Sequence, residues 1–431
     1  MDSFTDEKWK THSMKLRKRK REDEGSYKKR KVTLETDAST ETVIAQTVEV
    51  EESQPVVKTV RISQRALTVP RKGEYEINDS HPIPELDHEH EVVIHNHATG
   101  LNPIDWKTVD YNFCMPEFPW INGREMAGVV EKVGSEVSRF RVGDKVWTST
   151  YYRDRRAGCF QEFVTVPEHT VSHIPGDMTF EQAACLGVAA LTSAMTLWKW
   201  LDVPRPSSIP TPPGSPGQES YILIWGGSAI TGQFAIQLSK LAGLKVISVC
   251  SNQSFKLVQS LGADHIITRD EKTNDEILEE ILSLSDTKSQ QEKSPTPATD
   301  DGASTPPPSS SSSLSSRITL AIDLVGPSTS PYTLRALSPH QPCKFAPLAM
   351  LPTPAPPIPS NITIPNIEMK RFVLDPSSRV YADDLNLLFE QKKLKLPQLE
   401  VLEGGLDSVE LGLKRLKDGG LGGKKLIVKM K

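Results

Sequence analysis

Hydrophobic and polar positions alternate with two different periods along the chain. From Val57 the pattern is period two, and Glu91 to Ala98 reads as a strand that ends in Thr99-Gly100-Leu101-Asn102-Pro103. Further on, Tyr221 to Trp225 is an unbroken apolar run stopped by Gly226-Gly227-Ser228. Thr231 to Ala242 follows with apolar residues at Phe234, Ala235, Leu238 and Leu241, the spacing of one helix face. A second apolar strand, Lys245 to Cys250, comes directly after it, so the unit predicts a right-handed parallel crossover. Ile318 to Val325 is another buried strand, Leu406 to Leu416 a helix, and Lys424 to Met430 a closing strand.

Between these regions glycines punctuate short strands. Gly123 to Gly128, Val129 to Gly134 and Phe140 to Trp147, with Gly143-Asp144 as a turn, predict a small, strongly bent barrel-like domain. Gly158 to Pro167 adds a strand, and Phe180 to Trp200 is helical. Two inserts, 204–217 and 283–316, are rich in proline and serine and are expected to be disordered loops. The expected organisation is a disordered basic and polar tail over 1–56, the first part of the barrel domain over 57–195, a nucleotide-binding sheet over 196–347, and a return to the barrel over 348–431.

Composition changes this picture little. The 431 residues carry a net charge of −4 and five scattered cysteines without a C-x-x-C pair, which suits a reduced, cytoplasmic setting. No charged-then-apolar leader opens the sequence, and the longest apolar stretch is too interrupted to predict a membrane span. Two basic clusters, Lys15 to Arg21 and Lys28 to Lys31, are spaced like a bipartite nuclear import signal, so an import receptor is one expected partner; a solvated extension explains them as well. His88, His90, His95 and His97 alternate on one strand, but no acidic or cysteine partner follows at ligand spacing, so no metal is expected there.

Candidate chemistry sits at the glycine turn. Gly227, Ser228, Ala229, Ile230, Thr231 and Gly232 bring backbone N–H groups and a helix N-terminus to where a pyrophosphate binds in such units. The turn lacks the middle glycine of G-x-G-x-x-G, and alone it is compatible with a purely structural tight turn. At the end of the second strand stand Ser251, Asn252, Gln253, Ser254 and then Lys256 in place of an acidic residue. Neutral donors beside an ammonium favour a 2′-phosphate, hence NADPH over NADH.

Taken in order, Asn102-Pro-Ile-Asp-Trp-Lys107, Gly123 to Gly134, Gly143-Asp144, Gly158 to Glu162, the glycine turn, Gly262-Ala-Asp264 and Gly423-Lys-Lys-Leu-Ile-Val resemble the medium-chain dehydrogenase/reductase superfamily. The resemblance implies an α/β fold: a Rossmann doubly wound parallel sheet joined to a GroES-like catalytic domain. Arg124 stands where the zinc enzymes of that superfamily carry a histidine, and a guanidinium does not ligate zinc, so the zinc-independent quinone and enoyl reductases are implied. The turn Gly226 to Gly232 is most similar to fungal trans-acting enoyl reductases of polyketide pathways. Arg269 departs from the aromatic common in that group and offers a further phosphate contact.

The implied chemistry is hydride transfer to the β-carbon of an activated C=C bond, with protein donors facing the enolate that develops. Lys107 is the candidate donor or proton source, and Thr192 the candidate carbonyl contact. Asn102, Pro103, Ile104 and Asp105 are expected beside the nicotinamide, and Gly423 and Lys424 where the last strand returns to the cofactor. The expected substrate is a small molecule or an acyl thioester, with a polyketide synthase as the implied partner and either a monomer or a homodimer as the assembly. Two alternatives stay open: a quinone or enone reductase, and a non-catalytic nuclear protein that keeps the reductase fold.

Overall fold

The computed structural model describes residues 61–206, 220–284 and 317–430 with their side chains, together with the backbone of three strands before them. Those strands are β1 (Leu34–Thr36), β2 (Val43–Val48) and β3 (Val56–Arg61), paired antiparallel in the order β1-β2-β3 within a separate unit, Met1–Ile62. These strands fall within or next to the segment expected as a tail. Its two basic clusters lie outside the described residues, as do most of the two Pro/Ser inserts.

In the second unit, Ser63–Lys431, the first layer is the barrel. β4 (Ser63–Val69) pairs with β5 (Glu76–Pro82) and β7 (Trp120–Ile121). A seven-stranded sheet joins β6 (Glu91–Gly100), β8 (Glu125–Val133), β9 (Lys145–Ser149), β10 (Phe163–Pro167) and β11 (Val171–His173) to β18 (Leu399–Leu402) and β19 (Lys425–Lys429). The register of β6 on β8 slips twice, between Val93 and Ile94 and between Asn96 and Ala98, and such irregularities bend a sheet. Gly128 permits the bend, since a Cβ there would stand 1.9 Å from the His95 carbonyl oxygen. His95 and His97 are stacked on Phe163 and Phe180.

The nucleotide layer is one parallel sheet of β12 (Tyr221–Trp225), β13 (Lys245–Cys250), β14 (His265–Thr268), β15 (Ile318–Asp323), β16 (Cys343–Pro347) and β17 (Ile362–Thr363), ordered β14-β13-β12-β15-β16-β17. Counted from its own first strand this is 3-2-1-4-5-6, the doubly wound order, with the chain reversing direction between β12 and β15. Every side chain of β12 is buried, as a strand covered on both faces requires. The sheet runs past residue 347 to β17, so the expected boundary at 347/348 falls too early; the chain then touches the barrel at Val373 and Asn386, through His169 and Trp147, and joins its sheet at β18.

Four helices matter for the site: α1 (Pro103–Tyr111), α2 (Phe180–Trp200), α3 (Ile230–Leu241) and α4 (Arg379–Glu390). By length and composition α2 passes for a membrane span, but 72% of its apolar window is buried inside the protein. Leu186, Leu191, Met195 and Leu197 form one core with Phe234 and Ile236 of α3 and Leu385 and Phe389 of α4. Two π-helical turns, Leu186–Ala190 and Thr196–Trp200, interrupt α2 where it crosses from barrel to sheet.

The tight packing of α3 on its sheet rests on two glycines. A Cβ at Gly227 would stand 1.9 Å from Ser248 Oγ, and one at Gly232 would stand 2.5 Å from the Gly226 carbonyl oxygen. Gly227→Ala is expected to lower stability by roughly 1–3 kcal/mol, because overpacking forces a backbone shift. Thermal denaturation read by circular dichroism checks this, and an unchanged midpoint would show that the turn accommodates a methyl group.

Candidate active site

A cleft of about 410 Å³ opens at the carboxyl ends of β12 and β15, the switch point of the parallel sheet. Its sheet wall is made by Trp225, Gly226, Leu324 and Val325, and its barrel wall by Leu101, Asn102 and Pro103. The turn before α3 supplies Ser228, Ala229, Ile230 and Thr231. No side chain caps α3, whose Ncap residue is Ala229, so the first N–H groups of that helix meet the cleft without a partner of their own. These donors and the helix dipole fit the pyrophosphate of a dinucleotide.

Beyond the β13 end, Ser251 and Arg269 line the cleft together. Ser251 Oγ donates to Ser254 Oγ at 3.1 Å, and the Asn252 N–H donates to the Asp270 carboxylate. Asp270 was not anticipated: it places an acidic group at the corner read from sequence as neutral and basic. Lys256 is exposed on the following helix and does not line the cleft, because the intervening turn is helical and carries its side chain outward. Gln253 faces the C-terminal glycine loop, close to Gly422. That loop brings Gly419, Gly422, Gly423 and Lys424 to the rim. Gln233 of α3 stitches it to the turn, donating to the Gly423 carbonyl at 2.7 Å and the Ser228 carbonyl at 3.0 Å.

At the barrel end the cleft is backed by a buried charge cluster. Lys425 Nζ donates to Glu125 Oε1 at 2.6 Å, Asn102 Oδ1 at 2.8 Å and the Leu101 carbonyl at 2.9 Å. Glu125 Oε1 also accepts from Asn102 Nδ2 at 2.8 Å, and its Oε2 accepts the Val188 N–H at 2.7 Å, inside the first π-helical turn of α2. Glu125 and Lys425 are 0% and 2% exposed, so the pair is held in a low-dielectric interior with its donors and acceptors matched. Asn102, predicted for the cofactor, is therefore fixed from behind by two residues not foreseen. A charged residue opening each of two strands, followed directly by an uncharged run, was the available signal, since a charge at the buried end of such a strand needs a partner inside.

Asp105 and Ile104 do not line the cleft. Asp105 is fully buried at the start of α1, where Oδ2 accepts the Asn102 N–H at 2.9 Å and Oδ1 has no partner; burial pushes its carboxyl up to about 7. Lys107 lies one turn beyond Pro103, its ammonium 5.7 Å from the Trp106 ring centre. Thr192 also stands off the cleft, where Ala189 is the α2 contact. Its neighbour Ser193 instead joins α2 to α3, with Oγ 2.6 Å from the Thr231 carbonyl. Arg124 reaches over α1, with Nη2 3.4 Å from Thr108 Oγ1 and Nε buried without a partner. Among the described residues no three His, Cys, Asp or Glu side chains are grouped to hold a metal ion.

Residues 88–176 match the alcohol dehydrogenase GroES-like domain, the segment that carries this barrel wall. This part of the chain is a GroES-like domain of the alcohol dehydrogenase type. The trans-enoyl reductase himH of Aspergillus japonicus is 37% identical over 179 residues, 41% of this chain and 51% of that one. The chain spans about half the length of the curated relatives it matches. Among solved structures, the CurK enoyl reductase superposes with a TM-score of 0.65 at 18% identity, over 86% of this chain and all of that one. A mycobacterial protein solved as its NADPH complex does so with 0.62 at 19%, over 85% of this chain and all of that one. The fold shared with these two structures is the barrel and doubly wound sheet described above.

Two stability measurements probe the buried groups. Lys425→Met leaves Glu125 without its cation and is expected to cost about 3–5 kcal/mol, with Glu125→Gln in the same chain restoring part of the loss. Chemical denaturation of the single and double variants tests it, and full additivity would refute the pairing. Asp105 binds its proton more tightly folded than unfolded, so its contribution is complete at acid pH and is lost as pH rises from about 4 to about 7. Asp105→Asn should therefore gain stability relative to the parent over that interval, as read from urea midpoints; a constant difference would contradict the assignment.

Proposed function

We propose that this protein reduces activated carbon–carbon double bonds with NADPH, acting as an enoyl reductase on acyl thioesters held by a polyketide synthase. The observation that carries this reading is the cleft at the switch point. There an uncapped α3 N-terminus, a guanidinium at the adenosine corner and a pinned Asn102 face one another across a single groove. The relatives named as trans-enoyl reductases and the NADPH complex of a structural neighbour support the same chemistry.

NADPH, when bound, supplies the hydride. The residues around it do the positioning. The N–H groups of Ile230 and Thr231 hold the pyrophosphate, with Gly227 and Gly232 behind the cleft lining, and Ser251 and Arg269 take the 2′-phosphate, with Arg269 offsetting the nearby Asp270. Asn102, Pro103 and Ala189 border the nicotinamide end and exclude water from it. Lys107, four residues after Pro103 on α1 and outside the residues that line the cleft, is the proposed proton source for the enolate; Thr192, which stands off the cleft, is assigned no contact with the acceptor. Gly423 and Lys424 close the groove from the C-terminal loop.

The decisive experiment offers crotonyl thioesters and free quinones with NADPH and NADH in parallel. Faster NADPH oxidation with the thioester is expected, whereas a preference for quinones would move the protein to the quinone reductase class. No NADPH oxidation with any acceptor would remove the enzyme reading. Arg269→Ala should raise the KM for NADPH about tenfold or more while changing that for NADH little. Lys107→Ala should lower kcat by about 10²-fold, the usual share of a positioned proton donor.

A further inference from the structure

A second group of charges lies on the barrel, outside the residues that line the groove and next to the Glu125 that holds Asn102. The Arg124 guanidinium carbon is 4.9 Å from the centre of the Tyr152 ring, and that of Arg153 is 5.7 Å from the same ring. Lys370, from the segment that follows the nucleotide sheet, bears electrostatically on Tyr151 and Tyr152, and the charges of Arg124, Arg153 and Lys370 all reach the Cys114 side chain. Three cations from separate segments thus converge on one short loop. Lys370 is paired with Glu368 at 3.0 Å, but among the described residues neither Arg124 nor Arg153 has a carboxylate within ion-pair distance.

Arg124 is the unusual member. Its Nε is buried without a hydrogen-bond partner, and its one side-chain bond is the long 3.4 Å contact to Thr108. Asp105 attracts it electrostatically without touching it. Leaving the buried Nε of this half-buried guanidinium unmet is costly, and an incoming oxyanion removes that cost by taking parallel N–H bonds. The place is right for an acceptor. Arg124 precedes Glu125, which pins the cleft residue Asn102, and Thr108 lies one turn along α1 from Ile104, beside the cleft residue Pro103.

We propose that Arg124 and Arg153, ordered by Tyr152, form an anion subsite at the acceptor end of the groove that takes a carboxylate or phosphate oxygen group carried by the substrate. The location at the acceptor end rests on the reductase reading of the cleft; the anion binding itself does not. The subsite would select charged acceptors over neutral ones of the same reactive group.

Isothermal calorimetry on the full chain tests this without turnover. Crotonate against crotonamide probes a carboxylate handle, and 4′-phosphopantetheine against pantetheine a phosphate handle. In at least one pair the charged compound should bind about tenfold tighter or more, with the preference shrinking as salt is raised. Arg124→Gln and Arg153→Ala should each abolish the preference. Arg153 is exposed, so its variant remains informative if Arg124→Gln fails to fold. The proposal is overturned if neither charged compound outbinds its neutral twin, or if the preference survives Arg153→Ala. Failure of the reductase reading shows separately, as absence of NADPH oxidation.

Discussion

The ion pair between Glu125 and Lys425 is the contact on which the two layers of this molecule depend. It joins a strand from early in the barrel to the last strand of the chain, some 300 residues later, and through Val188 it also holds the π-helical turn that leads α2 into the nucleotide layer. A carboxylate with both oxygens occupied and an ammonium with three acceptors meet the condition for keeping charge in a dry interior. Small residues make room for it. A Cβ on Gly100 would collide with the Ala184 carbonyl and Glu125 Oε1, and one on Gly187 with the Thr148 carbonyl and Glu125 Cβ.

From that junction the groove acquires its geometry. Asn102 is held on both amide atoms, so the loop before α1 presents Asn102 and Pro103 at a fixed height. On the opposite wall Asp323 does similar work at the end of β15. Its Oδ1 accepts the Val325 and Gly326 N–H groups at 2.9 Å each, and its Oδ2 accepts the Thr333 hydroxyl at 2.7 Å, setting the turn that carries Leu324 and Val325. Both walls are rigid because each is shaped by a buried carboxylate whose partners are local or fully paired. A groove so built needs little reorganisation when a ligand enters.

The glycine turn, the period change from two to 3.6 and the order of the motifs were legible in the sequence because each is a local rule. A strand buried on both faces reads as an apolar run, and a turn that must lie against a neighbouring strand reads as glycine. What escaped depends on residues far apart. Lys425 was passed over for its neighbour Lys424, although on a strand adjacent residues point to opposite sides and the inward one meets Glu125. Lys256 was placed at the phosphate corner from sequence proximity, whereas a helical turn removes it and the following strand end delivers Arg269.

The same distinction separates Arg124 from the residues around it. At its position a neutral, metal-binding side chain and a permanent cation make opposite demands on the interior: one asks for further ligands, the other for an anion. Here the surroundings meet neither in full, with a carboxyl whose pKa burial raises to about 7, an aromatic ring and one distant hydroxyl. A ring face compensates a guanidinium by about 0.5–2 kcal/mol, well short of the several kcal/mol that an ion loses on leaving water. The shortfall is smallest when an oxyanion sits against the guanidinium, so this one position couples the stability of the barrel loop to the binding of an anion.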